Sequence, residues 1–85
     1  VKNIATEFGH KNIRANSIAP GLIKTDFAKA LWENQDILKT VLSSTPMRRI
    51  GEPDEISGVA VMLASDAGNY INGQTIVVDG GTTIS

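Results

Sequence analysis

Apolar residues recur along the chain in two rhythms. Val1, Ile4, Ala5 and Phe8 fall at i, i+3, i+4 and i+7, one face of a helix. Gly9 directly after them predicts a left-handed stop that satisfies the last carbonyls. Ile13 to Ala19 predict a first strand, closed by the breaker pair Pro20-Gly21. Arg14, Asn16 and Ser17 interrupt its alternation, so its position between breakers carries the prediction more than its pattern does. A short helix is expected over Thr25 to Trp32, with Thr25 as N-cap and Asp26 against the positive end of the helix dipole. Asn34 caps another, whose stripe is Ile37, Leu38, Val41 and Leu42, ending at Ser43-Ser44-Thr45-Pro46. The clearest helix opens at Pro53 with Asp54 and Glu55 in its first turn. Ile56, Val59, Ala60, Leu63 and Ala64 form its apolar stripe, Gly58 leaves room for close packing, and Gly68-Asn69 provide the exit after Asp66. Finally, the β-branched run Thr75 to Val78 predicts a buried strand between Gly73-Gln74 and Asp79-Gly80-Gly81.

Two strands joined through a long helical connection lie most economically parallel, in a right-handed crossover. The predicted fold class is therefore α/β. No internal repeat or low-complexity segment interrupts it.

Composition narrows the function classes. Eighty-five residues describe one small domain at most, near the size at which a single core becomes marginal. The usual staples of small domains are missing, since there is no cysteine and His10 is the one histidine. His10 sits in a polar link, without the further ligands that a metal site needs. A net charge of -1, with Arg48-Arg49 only a pair, gives no footprint for nucleic acid. No apolar stretch is long enough to span a bilayer and no signal pattern opens the chain, so a soluble, cytoplasmic protein is expected, without nucleic-acid or membrane partners. A chain that starts at Val1, already inside a helical pattern, is expected to be a fragment.

Parallel-sheet proteins bind ligands beyond the carboxyl ends of their strands. That directs attention to Pro20-Gly21-Leu22-Ile23-Lys24-Thr25 after the first strand. Proline fixes φ, glycine lets backbone come close to a flat ligand, and Thr25 offers a hydroxyl beside free amides. The loop could grip an amide or phosphate, but spacing alone favours an ordinary strand-to-helix turn capped by Thr25. Other chemistries lack their residues. No serine sits in Gly-x-Ser-x-Gly, and there is neither a Walker loop nor Gly-x-Gly-x-x-Gly. Asp79-Gly80-Gly81 is expected to be a strand terminator.

Four segments in register carry a resemblance: Ile13 to Thr25 (IRANSIAPGLIKT), Arg49 to Ile56 (RIGEPDEI), Leu63 to Asp66 (LASD) and Tyr70 to Gly81 (YINGQTIVVDGG). Together they are similar to the C-terminal part of short-chain dehydrogenases/reductases. The resemblance implies an NAD(P)-dependent oxidoreductase that moves hydride between a nicotinamide and a carbonyl or alcohol substrate. This chain would be roughly the last third, the incomplete C-terminal part (1–85) of a single doubly wound Rossmann-type domain.

In that family the glycine-rich dinucleotide loop, the residue that separates NAD from NADP, the catalytic serine and the Tyr-x-x-x-Lys pair all precede the segment that matches. Tyr70 cannot substitute, because Gln74 and not lysine lies four residues on. No catalytic residue is therefore expected in this chain, which alone should be inactive. The resemblance implies that Pro20 and Gly21 turn beneath the nicotinamide, that Ile23 offers its backbone amide to the carboxamide of NAD or NADP, and that Thr25 adds its hydroxyl. Phe27, Leu31 and Trp32 would line or cover the substrate pocket, or only pack the two short helices together. The helix 53–66 and strand 75–78 would form the interface of a homodimer or homotetramer. The competing expectation is a non-catalytic interaction module that keeps only this assembly surface.

Overall fold

The computed structural model describes residues 1–84, and the resulting element order is helix, strand, three helices, strand. Helix α1 is Lys2–Phe8, strand β1 is Ser17–Pro20, helix α2 is Lys29–Trp32, α3 is Gln35–Ser44, α4 is Pro53–Ala64, and strand β2 is Thr75–Val78. Single 3-10 turns occupy Gly9–Lys11, Asp66–Gly68 and Thr82–Ile84. The two strands pair in parallel, with Ser17 opposite Thr75, Ile18 opposite Ile76, Ala19 opposite Val77 and Pro20 opposite Val78. Parallel strands separated by helices make the fold α/β, as the sequence pattern predicts.

Local chemistry moves several boundaries. Gly9 does not stop α1 in a left-handed conformation: its φ of -58° is helical, and the chain runs on through one 3-10 turn. The left-handed residue is Asn12, at φ 60°, whose N–H bonds the Gly9 carbonyl. Asparagine tolerates that conformation better than most residues with a side chain. Strand β1 is shorter than Ile13–Ala19 and includes Pro20, because the preceding residues are held by side-chain bonds instead of a ladder. The Ala15 N–H donates to Asn72 Oδ1 at 3.1 Å, Asn16 Nδ2 donates to the Ile71 carbonyl at 3.0 Å, and Gln74 N–H donates to Asn16 Oδ1 at 3.0 Å. Pro20 is tolerated at the strand's last position, where its missing N–H interrupts nothing further.

Thr25 starts a turn and not a full helix. Its Oγ1 accepts from Ala28 N–H at 3.2 Å, but regular α-helix begins only at Lys29. Asn34 does cap α3, with Oδ1 accepting from the N–H groups of Asp36 and Ile37. Helix α4 ends at Ala64, two residues before Asp66, because Ser65 is extended. Nothing approaches within 4 Å of a Cβ built on Gly58, so the close packing expected there is absent among the described residues. The α4 stripe is divided: Ile56, Val59 and Leu63 are half-buried, whereas Ala60 and Ala64 are exposed.

Polar latches compensate for this thin apolar contact. Arg14 Nη1 donates to the carbonyls of Leu63 at 2.7 Å and Gly68 at 2.8 Å, tying the approach to β1 to the end of α4. Bonds from an ionised donor are the stronger kind, commonly about 1.5–3 kcal/mol each. Asn72 Nδ2 donates to the Ala5 carbonyl at 3.0 Å and docks α1 on the segment before β2.

Ala5 is the one buried hydrophobic residue among those described. The accessible surface is 6147 Å², against ~4,900 Å² for a compact monomer of this mass. The radius of gyration is 15.5 Å, against ~12 Å for a compact chain of this length. Both values describe an elongated slab that leaves much of its apolar surface exposed. Each strand also keeps one unpaired edge, since the sheet has two strands. No helix among the described residues is long and apolar enough to cross a membrane. The free 85-residue chain is accordingly expected to self-associate or to remain partly unfolded. Sedimentation and calorimetry check this, and a monodisperse, cooperatively melting monomer would contradict it.

Candidate functional site

The loop after β1 is held from two sides. Gly21 N–H donates to the Val78 carbonyl at 2.9 Å, which carries the parallel pairing one residue beyond the strand end. At that point the backbones come so close that a Cβ on Gly21 would lie 2.9 Å from Asp79 Cα and 3.0 Å from Asp79 Cβ. Glycine is thus required by the neighbouring strand end, whatever else the loop does. Two residues on, Ile23 forms an isolated parallel bridge with Gly51: Gly51 N–H donates to the Leu22 carbonyl and Lys24 N–H to the Gly51 carbonyl, both at 2.9 Å.

This bridge uses groups on either side of Ile23 and leaves the Ile23 N–H itself without an acceptor among the described residues. The Ile23 carbonyl accepts from Thr25 N–H at 2.8 Å, a tight turn that brings the Thr25 hydroxyl round to the same short stretch of loop. Thr25 Oγ1 takes the Ala28 N–H, and its own proton is not used by that bond. One backbone donor and one hydroxyl therefore sit two residues apart at the carboxyl end of a parallel strand. Such a pair can bond both atoms of a planar amide.

Beside the loop lies an open cleft of about 890 Å³, lined among others by Pro20, Gly21, Ile23, Met47, Val78 and Asp79. Its floor is the turn after β2. Gly80 and Gly81 have φ of 64° and 94°, which residues with a Cβ rarely adopt. The same glycines admit close neighbours, because Cβ atoms there would meet Thr45 Cγ2 and Pro46 Cγ, each at 3.0 Å. Asp79 organises the turn: its carboxylate accepts from the N–H groups of Gly81 and Thr83 and from the Thr83 hydroxyl. Those bonds, the Thr83 hydroxyl foremost, hold the Asp79 carboxyl below its ordinary pKa. The expected strand terminator is therefore a built turn that seats the chain between α3 and α4.

At the cleft's other rim Arg49 and Glu55 form a two-pronged ion pair, at 2.6 and 2.8 Å. Glu55 also accepts the Glu52 N–H at 2.9 Å and so caps the start of α4. The Arg49 bond first, then the Glu52 amide, lower the Glu55 pKa from 4.5 to about 2. The Arg49–Glu55 pair is not visible as a motif, although Glu55 three residues after Glu52, just inside Pro53, is the spacing of a helix-start bond.

The three apolar candidates do not gather at one wall. Phe27 is 102% exposed and Leu31 47%, both outside the cleft lining. Trp32 is half-buried and folds back on the loop, its Nε1–H donating to the Thr25 carbonyl at 2.8 Å. Lys24 Nζ lies 5.2 Å from the centre of the Trp32 ring. Among the described residues no group of three or more His, Asp or Glu comes together as a metal site.

The chain and its fold match known proteins over nearly its whole length. A family model described as enoyl-(acyl carrier protein) reductase covers residues 1–83. The chain belongs to the short-chain dehydrogenase/reductase family. Dehydrogenase/reductase SDR family member 4 of Oryctolagus cuniculus is 46% identical over 80 residues, which are 94% of this chain and 31% of that protein. A structure of 4-hydroxyisoleucine dehydrogenase complexed with NADH superposes with a TM-score of 0.95 at 36% identity, over 99% of this chain and 35% of the other. Gluconate 5-dehydrogenase from Burkholderia cenocepacia J2315, in complex with NADP and tartrate, gives 0.92 at 37% identity, over 99% of this chain and 33% of the other. The chain thus spans about a third of the length of these relatives.

Two outcomes follow from the contacts themselves. In the full-length polypeptide, Gly21→Ala forces backbone apart at Asp79 and is expected to cost about 1–3 kcal/mol of stability, read by urea unfolding at fixed protein concentration. Because the folded Glu55 pKa lies below its unfolded value, its contribution is complete above pH 4.5 and is lost as the pH falls towards 2. In the full-length polypeptide, Glu55→Gln should therefore flatten the fall in urea midpoint between pH 5 and 2, and added salt should shrink the difference.

Proposed function

We propose that residues 1–85 are the C-terminal part of a single NAD(P)-binding Rossmann-type domain in an oxidoreductase that transfers hydride between a nicotinamide and a carbonyl or alcohol. The carrying observation is the pairing of the open Ile23 N–H with the Thr25 hydroxyl on a loop locked to the carboxyl end of β1. When bound, the nicotinamide supplies or accepts the hydride. The residues of this chain orient it: Ile23 N–H donates to the carboxamide oxygen, Thr25 Oγ1 bonds the carboxamide, and Pro20 and Gly21 make the turn beneath the ring. The relatives with NADH and with NADP support a dinucleotide in this role without choosing between the two. Holding reacting atoms near 3–3.5 Å contributes several kcal/mol to a barrier without any proton transfer by the loop.

Proton transfer falls to a tyrosine and lysine outside this segment, so the catalytic residues are supplied elsewhere in the polypeptide. Phe27, Leu31 and Trp32 would line or cover the substrate pocket, and the exposure of Phe27 and Leu31 leaves their apolar faces available for this. The alternative, a non-catalytic assembly module, draws on the exposed side of α4, where Val61 is 66% exposed beside Ala60 and Ala64. That side also serves as the subunit interface in the oxidoreductase reading. A coding sequence with Tyr-x-x-x-Lys ahead of Val1 supports the enzyme, and a translation start at Val1 supports the module.

The isolated chain should show no turnover above buffer with NADH or NADPH and a panel of ketones; any such turnover refutes the assignment of the catalytic groups to other segments. In the full-length polypeptide, Thr25→Val should raise KM for the dinucleotide about tenfold, equivalent to ~1.4 kcal/mol. An unchanged KM in steady-state kinetics would remove Thr25 from the site.

A further inference from the structure

Ile23 and Thr25 are fixed by different means. Ile23 and Lys24 lie inside the bridge to Gly51, whose two backbone bonds determine where the Ile23 N–H points. Thr25 is the first loop residue beyond that bridge. It is followed by Asp26 and the fully exposed Phe27, which offer it no packing. Its single long-reaching anchor among the described residues is Trp32, seven positions on, whose indole N–H meets the Thr25 carbonyl at 2.8 Å. The same carbonyl takes the Ala28 N–H at 3.1 Å, so both of its lone pairs are engaged. Lys24 Nζ lies over the same indole, 5.2 Å from its centre, a second contact between the ring and the loop.

We infer that Trp32 is a positioning residue for the dinucleotide site: its indole N–H fixes the Thr25 backbone so that the threonine hydroxyl is set for the carboxamide. This deepens the proposed function and rests on the reading of the 20–25 loop given there. It also redefines the role of the tryptophan. Its polar edge is committed to the cofactor loop, and α2, which carries it, becomes a brace between the cofactor side and the exposed surface of Phe27 and Leu31. A brace of this kind couples the two: α2 reaches Thr25 through the indole N–H, while Gly51 holds Ile23, whose carbonyl takes the Thr25 N–H.

The test is a kinetic cycle in the full-length polypeptide that carries this segment. Trp32→Phe keeps an aromatic face for Lys24 and deletes the N–H. Replacement of Trp32 by 3-benzothienylalanine, which puts sulfur in place of the indole N–H, deletes the donor while preserving ring size and guards against a packing defect. Both changes should raise KM for NADH or NADPH about three- to tenfold, and neither should raise it further in a Thr25→Val background. A KM increase of equal size in both backgrounds would show that Trp32 acts independently of the Thr25 hydroxyl, and would overturn the inference. No effect of either Trp32 change, with Thr25→Val still impaired, would also overturn it while leaving the loop's function standing. No effect of Thr25→Val would remove the loop's function and the inference with it.

Discussion

The close approach of two strand ends governs this structure. β1 and β2 run parallel for four residue pairs, and the pairing continues past β1 only because Gly21 has no side chain to collide with Asp79. That contact sends the chain on into Leu22 and Ile23 at a fixed angle, where the bridge to Gly51 captures it. A loop that follows a strand is ordinarily among the more mobile parts of a protein. Here it is fastened at both ends by backbone hydrogen bonds, so its free donors keep their direction. Preorganised donors of this sort orient a ligand without the entropy cost of ordering a loop on binding.

The other half of the fold is organised by short polar contacts in place of a deep core. Arg14 reaches two carbonyls near the end of α4, Asn72 joins α1 to the β2 approach, and Asp79 gathers the turn beyond β2. These bonds specify where elements meet but bury little apolar surface, and the half-covered stripe of α4 expresses that imbalance. Such a slab is suited to being one layer of a larger body, with apolar faces closed by other segments or copies. Specificity of geometry is local to the chain, whereas burial of apolar surface contributes little within it.

Much of this was legible in the amino-acid pattern. The β-branched run 75–78 sits where it was expected to the residue, Asn34 caps α3, and Pro53 opens α4. The misjudged boundaries share a cause: a side chain or a neighbouring strand overruled the local signal. Gly9 yielded to Asn12, Asn16 and Asn72 replaced a ladder over residues 13–16, and Ser65 ended α4 early. At the site, the sequence marks Pro20, Gly21, Ile23 and Thr25 as one loop, but nothing in it shows that Gly51 and the Trp32 N–H fasten that loop. Gly51 carries no chemistry of its own, and its role arises from a long-range bridge that periodicity cannot register. Trp32 was noticed for its apolar ring, and the direction of its N–H is a property of the folded chain alone.

The central claim is that strand pairing presents Ile23 N–H and the Thr25 hydroxyl to a nicotinamide carboxamide. A crystal structure of the full-length polypeptide with NADH or NADPH bound tests it most directly. The account requires both groups within hydrogen-bond distance of the carboxamide, with the Ile23–Gly51 bridge intact. A pyridine ring bound away from residues 20–25, or a bridge broken to admit it, would contradict the account.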